Sequence, residues 1–217
     1  MPTTDYRLKD GTKVPGTTTI INASLGWNKG ALMHWAWEEG RAGRHYRETR
    51  EAAADAGTLA HEMVECHIRQ IARPVREVTA ETRRLAQLSF DAFREWFDGS
   101  RIELVETEMH LISEEFRFGG TPDAVGHLKK PLALLDWKTS RGIYADYLIQ
   151  LAAYEHLWNA NRDEQITGGI HVCRFDKSTG GFSHHWWPSE ALRPAWRAFQ
   201  NLRELYDLQK EMKALAA

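Results

Sequence analysis

Asp123, Asp136 and Lys138 are the side chains of this 217-residue chain whose types and spacing best suit chemistry. Asp123 follows Pro122, twelve residues separate it from Asp136, and Lys138 stands two beyond the second acid. Residues i and i+2 of a strand project from the same side, so Asp136 and Lys138 share a face if their segment is extended. If the segment around Asp123 pairs with it as a hairpin, the two carboxylates approach each other. Two close carboxylates repel, and one is driven toward protonation. A hard divalent cation removes that conflict, and oxygen ligands suit Mg²⁺ or Mn²⁺. A lysine beside such a cation would stabilise or activate a water attacking a phosphate. The pattern therefore points to phosphodiester hydrolysis.

The elements that must position these groups follow from the local pattern. Phe116–Gly120 reads as a strand end with a Gly-Gly turn, and Asp123–Leu128 alternates as a short strand. Lys129, Lys130 and Pro131 form a polar connection to the apolar run Leu132–Leu135, which fits a strand covered on both faces. Tyr144–Asn161 reads as a helix. On it Gln150 and Tyr154 stand one turn apart, able to hold a phosphate, a base or the Lys138 amine, or simply each other at the core boundary.

Upstream, Thr17–Ile21 suits either a strand or a helix start, and Ala31–Gly40 is helical in pattern. Arg41, Arg44, Arg47 and Arg50 recur every third residue, which on one helix makes a basic stripe. That stripe reads equally as a solvated face paired with Glu38, Glu48 and Glu51 or as a phosphate-contacting wall. Gly57 and Thr58 open a second helix, with Thr58 as its cap, and Pro74 breaks it. His61 and Glu65 share a face of that helix; Glu65 reads as a solvated acid. Thr79–Phe97 is amphipathic, Asp98–Ser100 a turn, and Arg101–Ile112 one long strand carrying Glu106 and Glu108 on one face. Gln165–Arg174 and Gly181–Trp187 read as strands, and Ser189–Leu215 as a terminal helix that Pro194 restarts.

These residues, in order, resemble the PD-(D/E)xK nuclease superfamily and, within it, the RecB-like exonuclease branch, including phage-type and mitochondrial genome maintenance exonucleases. The resemblance rests on four ordered motifs between Gly57 and Tyr154. They are Gly57–His61 on a helix, Gly120–Asp123, Asp136–Ser140, and Gln150 with Tyr154 on the next helix. A looser likeness runs from Val14 and Pro15 to Trp35 and Ala36. The resemblance implies an α/β, restriction-endonuclease-like fold: a central mixed sheet flanked by helices, with an N-terminal helical layer. It implies one nuclease domain over residues 1–217, with residues 1–100 mainly helical and 101–217 holding the nuclease core and C-terminal helix. It implies His61, Asp123, Asp136 and the Trp137 carbonyl as ligands of Mg²⁺ or Mn²⁺, and Lys138, Gln150 and Tyr154 as catalytic partners. Glu108, favoured over Glu106, is a peripheral acid. Arg41, Arg44, Arg47 and Arg141 are the candidate DNA contacts. The activity implied is a DNA exonuclease preferring single-stranded or frayed ends, acting in recombination, repair or phage DNA processing, with a recombination or replication protein as partner. The rival readings are a structure-selective endonuclease, a catalytically silent nucleic-acid-binding subunit, and an RNA substrate.

Composition sets bounds on these readings. Charged residues make up 27% and hydrophobic residues 42%, a globular balance, and the net charge of −2 calls for a local basic channel rather than global attraction to DNA. Cys66 and Cys173 are too few for a cysteine-ligated iron–sulfur cluster within one chain, so none is expected, unlike some relatives in the RecB-like branch. Two cysteines give no disulfide framework. The polar N-terminus lacks an apolar signal region, and no run reaches the roughly 18 apolar residues of a membrane span. The expectation is a soluble protein with no membrane contact, in the cytoplasm of a bacterial or phage-infected cell.

Overall fold

The computed structural model describes residues 4–73, 76–129 and 131–216. Pro74 and Lys130, expected to break a helix and to join two strands, lie outside them. In chain order the elements are β1 (Tyr6–Arg7), β2 (Lys13–Val14), α1 (Thr17–Ser24), α2 (Lys29–Arg41), α3 (Tyr46–Ile68) and α4 (Ala80–Ser100). Then come β3 (Glu103–Thr107), β4 (Leu111–Ser113), β5 (Phe118–Gly120), β6 (Ala124–His127) and β7 (Leu132–Lys138). α5 (Ala145–Asn161), β8 (Ile170–Phe175), β9 (Phe182–Trp187), a 3₁₀ turn (Ser189–Leu192) and α6 (Arg193–Leu215) complete them.

The central sheet has the order β3-β6-β7-β8-β9. Its one parallel pair is β7 with β8, joined through α5, and the other pairs are antiparallel. A parallel pair needs a crossover long enough to return the chain to the same end, and α5 supplies it. Residues 132–137 are buried throughout because both faces of β7 are covered. Leu132 and Leu134 pack with Ile20 and Ile21 of α1, with α5 and with α6; Leu135 and Trp137 pack with Leu59, Met63, Phe90 and Phe93 of α3 and α4. The expected mixed sheet flanked by helices is present. The N-terminal helices are not a single layer, however: α3 and α4 cover one face, whereas α1 joins α5 and α6 on the other.

Several local expectations change in the tertiary context. Arg101–Ile112 is not one strand but β3 and β4, in different sheets, separated at Glu108, whose φ of 47° is left-handed. Gly119 and Gly120 do not turn but lie in β5 because the chain is crowded there. A Cβ on Gly119 would stand 2.3 Å from the Tyr6 ring, and one on Gly120 2.7 Å from Leu157, Thr17 and Tyr154. Thr58 caps nothing. α3 begins eleven residues before Gly57, at Tyr46, with His45 as its cap accepting from Arg47 N at 3.3 Å. Likewise α4 absorbs Asp98–Ser100 and stops at Arg101, in left-handed backbone. The basic stripe never forms. α2 ends at Arg41 and α3 starts at Tyr46, so the arginines straddle a helix break. Arg41 pairs with Glu38 at 3.5 Å, and Arg44 with the buried Glu39 at 2.7 Å. Hydrogen bonds from Arg44 and Thr49 hold Glu39 down to about 2.

Candidate active site

The β6–β7 hairpin pairs Ala124 with Leu135 and Val125 with Leu134. One step outward in that register sets Asp123 opposite Asp136, and the alternation that sends Val125 and Leu134 toward α5 sends both acids to that face. Asp123 Oδ2 accepts from Trp137 N at 2.7 Å, which pins the carboxylate across the hairpin. Asp136 is 1% exposed, and its Oδ2 lies 2.7 Å from Lys138 Nζ; among the described residues no hydrogen bond from another donor reaches that oxygen. Lys138 Nζ donates to Gln150 Oε1 at 3.1 Å and stands over the Tyr147 ring at 4.8 Å. Gln150 Nε2 in turn donates to Tyr154 Oη at 2.9 Å. Lysine offers only donors, so Gln150 must turn its oxygen to Lys138 and its amide nitrogen to Tyr154. Of the alternatives open to Gln150, two are realised together: contact with the Lys138 amine and the mutual bond with Tyr154.

The opposite face of the sheet contributes α3. Its Ala56, Leu59, Ala60, Met63 and Val64 are buried, and His61 emerges at the carboxyl end of β7, its Nδ1 3.7 Å from Asp123 Oδ1. Glu108 arrives through the break between β3 and β4: its N donates to the Asp123 carbonyl at 3.0 Å, and its left-handed backbone turns the chain there. A non-glycine residue in that region carries a steric cost of roughly 1–2 kcal/mol, a pattern found at functional sites. His61, Glu108 and Asp123 each offer a ligand atom within 4.8 Å of the other two. Asp136 stands beside this trio, tied to Lys138, and the Trp137 carbonyl faces the His61 ring.

Burial governs the electrostatics. It pushes Asp123 up to about 6, against the pull of Lys138 and the Trp137 N–H, and pushes Asp136 up to about 6 against Lys138. Glu108 rises to about 8 through burial and the charges of Asp123 and Glu65. Burial and the Lys138 charge take His61 down to about 4, leaving a neutral imidazole, the form that ligates metals. Burial opposes the Lys138 ammonium, but Asp136 and Asp123 outweigh it and hold its pKa above the ordinary lysine value. Burial also keeps Tyr154 a neutral phenol. Three crowded carboxyls with a neutral imidazole form a donor set that fits a hard-to-borderline divalent cation, which would relieve both repulsion and desolvation.

His61, Glu108, Asp123, Lys138, Gln150 and Tyr154 line one cleft of about 890 Å³, with Asp136 buried behind Lys138; the cleft is walled by Tyr6 and Lys13 of the N-terminal hairpin, by α1, by Gly57 and His61 of α3, and by Tyr206 and Lys210 of α6. Tyr6 Oη and His110 Nδ1 both meet Thr121 Oγ1, at 2.8 and 2.9 Å, which closes that wall. Arg41, Arg44, Arg47 and Arg141 are not among the lining residues; the cations there are Lys13, Lys138, Lys177 and Lys210. Trp35 and Trp37 of α2 also lie off the cleft, Trp35 edge-on to Tyr46 and the exposed Trp37 beneath the Arg41 guanidinium. Arg141 lends its carbonyl to Arg174 at 3.3 Å. Glu106 is engaged by Arg162, at 2.8 and 2.7 Å. Glu65 is not a freely solvated acid: it is 19% exposed, accepts from Thr107 Oγ1 at 3.2 Å and pairs with Arg69. Its place one turn after His61 was the available signal. Lys177, in a turn after β8, carried none.

A sequence profile described as the PD-(D/E)XK nuclease superfamily matches residues 5–217. No curated protein matches the sequence significantly. Among solved structures, the chain is similar to an alkaline exonuclease from Laribacter hongkongensis at 15% identity and a TM-score of 0.33, over 66% of this chain and 79% of that one. It is also similar to the protein SSO0001 at 16% identity and a TM-score of 0.34, over 68% of this chain and 82% of that one. At such scores the family assignment rests on the profile.

Proposed function

Because the chain belongs to the PD-(D/E)XK nuclease superfamily, we propose that it is a metal-dependent deoxyribonuclease that hydrolyses DNA from its ends. The observation that carries the reading is the linked pair of arrangements in one cleft. One is the His61, Glu108 and Asp123 donor set; the other is the hydrogen-bonded series Lys138–Gln150–Tyr154 with Asp136 at its head. His61, Glu108, Asp123, Asp136 and the Trp137 carbonyl would hold Mg²⁺ or Mn²⁺. When bound, such an ion supplies Lewis acidity at the phosphate and lowers the pKa of water.

The chain's own groups do the rest. Asp136 keeps Lys138 charged at neutral pH, so Lys138 acts as a fixed cation and donor that orients water and stabilises charge developing on the phosphoryl oxygens, not as a general base. Gln150 fixes the direction of the amine, and Tyr154 fixes Gln150. A silent binding subunit would have no need of this set. The preference for ends, single-stranded or frayed, rests on the likeness of Gly57–His61 and Gln150–Tyr154 to the exonuclease branch, and on a cleft walled by N-terminal segments. We extend this reading, on the same likeness, to a role in recombination, repair or phage DNA processing in the cytoplasm, with a recombination or replication protein as partner.

The test is a time course on end-labelled linear and covalently closed circular single strands of equal length, with Mg²⁺, Mn²⁺ or EDTA and an RNA arm of the same sequence. Linear DNA should be degraded, circles should resist, and EDTA should stop the reaction. Comparable cutting of circles would replace the exonuclease by the structure-selective endonuclease.

A further inference from the structure

Four lysines line the cleft, and three are matched by carboxylates: Lys13 with Asp5 at 2.9 Å, Lys138 with Asp136 at 2.7 Å, and Lys210 with Asp207 at 3.7 Å. Lys177 has no such partner among the described residues. Its sequence neighbour Asp176 turns its carboxylate to Arg174 at 3.2 Å and to Ser178. The Lys177 ammonium is nevertheless fixed. Its Nζ donates to the Ala53 carbonyl of α3 at 2.7 Å, and its backbone N donates to the Thr139 carbonyl at 3.3 Å. It is held against bare helix: a Cβ on Gly57 would stand 3.6 Å from Lys177 Nζ and 3.1 Å from Thr139 Oγ1. A glycine inside a helix costs about 1 kcal/mol relative to alanine, and here it admits Thr139 Oγ1 closely, with the lysine in ordinary contact beside it, one turn before His61. With one N–H used on Ala53, two remain for a ligand.

We propose that Lys177 binds a phosphate oxygen of the DNA strand lying in the cleft, a task separate from that of Lys138. The proposal rests on the nuclease reading above. Lys138 is paired with Asp136 and oriented by Gln150, so it serves the reacting centre. The positive charge of Lys177 has no carboxylate at ion-pair distance among the described residues, feels Asp176 only at longer range, and is rigidly placed and turned to the same cleft. A strand phosphate supplies the missing anion, and a single charge-assisted contact of this kind strengthens binding without entering the bond-breaking step.

The test reads binding and turnover separately. A dye-labelled single strand is titrated by anisotropy in EDTA over a range of salt, and KM and kcat are measured with Mn²⁺. Lys177→Gln should weaken binding and raise KM by about tenfold, the scale of one charge-assisted hydrogen bond, with kcat little changed. The slope of log affinity against log salt should shrink by about 0.7, one phosphate contact on a single strand. Lys177→Arg should keep the wild-type slope. To separate charge from the structural bond to Ala53, Lys177→Cys is alkylated either with 2-bromoethylamine, restoring a cation, or with iodoacetamide; Cys66 and Cys173 are buried. Only the cationic adduct should recover the slope, and the two adducts should melt alike. Equal slopes for both adducts, or a fall in kcat at constant KM, would overturn the assignment while leaving the nuclease reading intact. A wild-type protein that neither binds nor cuts DNA would sink that reading itself.

Discussion

Lys138 shows how a residue acquires a role from its neighbours. An isolated lysine on a strand edge would be solvated, but here the ammonium is clamped between Asp136, Gln150 and the Tyr147 ring. Lys138→Ala should therefore lose turnover by about 10²–10⁴-fold, the range for a positioned catalytic group, while keeping metal binding; single-turnover kinetics beside calorimetry with Mn²⁺ decide it. Near-normal turnover would return Lys138 to the structural residues. His61 offers a complementary test. An imidazole in an otherwise oxygen-rich set tilts selectivity toward transition metals. Activity should be higher with Mn²⁺ than with Mg²⁺, and His61→Ala should narrow the gap. A gap that persists in the variant removes His61 from the ligands.

At the scale of elements, the site depends on how closely β5 approaches α1 and α5. Gly120 is buried against Leu157, Thr17 and Tyr154, each of which would meet a Cβ at 2.7 Å. Gly120→Ala overpacks this junction, and forced shifts of this kind cost about 1–3 kcal/mol. The displaced neighbours include Tyr154, the end of the series that orients Lys138. The variant should melt at lower temperature and, when assayed well below that temperature, still show reduced kcat. A lower melting temperature with unchanged kcat would show that β5 supports the fold without steering Tyr154. The break between β3 and β4 matters in the same way: the β3–β6 register sets Glu108 opposite Asp123, and the left-handed turn there accompanies its approach to His61.

For the whole molecule, the site is a local destabilisation that a cation would relieve. In the metal-free protein Asp123 and Asp136 titrate near 6 and Glu108 near 8, above their ordinary values, so the folded state holds protons that the unfolded state has released. Their contribution to stability is full below the ordinary carboxylate range and is lost as pH rises through 6 to 8. His61, lowered to about 4, acts oppositely, contributing stability as pH rises to about 6.5. Of these four groups, only the carboxyls still change the balance above pH 6.5. A divalent cation competes with those same protons and binds the folded state, so its stabilising effect should grow with pH. Melting curves with Mn²⁺ and with EDTA should differ more at pH 8 than at pH 5.5. A difference that is equal or larger at pH 5.5 would contradict the proposed ligand set.

The sequence by itself determined the hairpin that brings Asp123, Asp136 and Lys138 together. Asp123, Asp136 and Lys138 lie on neighbouring strands, where side-chain alternation has period two and leaves little freedom. α5 was equally legible, because one-turn spacing places Gln150 beside Tyr154 in any helix. Local reasoning failed where tertiary contact overrode it. Gly57 and Thr58 look like a helix start, yet α3 begins at Tyr46 and runs through them, with its buried face opening only at Ala56. Gly119 and Gly120 look like a turn, yet they serve close approach, which depends on Tyr6, Thr17, Tyr154 and Leu157, residues far away in the chain. The arginine spacing promised a stripe only if one helix carried it, and a break after Arg41 removed that condition. Only the tertiary structure brought Glu108 to His61, by a left-handed residue between strands of different sheets, and set Lys177 against Gly57 across 120 residues of chain. Neither meeting has a periodic signature, because each joins segments whose relation is decided by the packing of the sheet and its two helical faces.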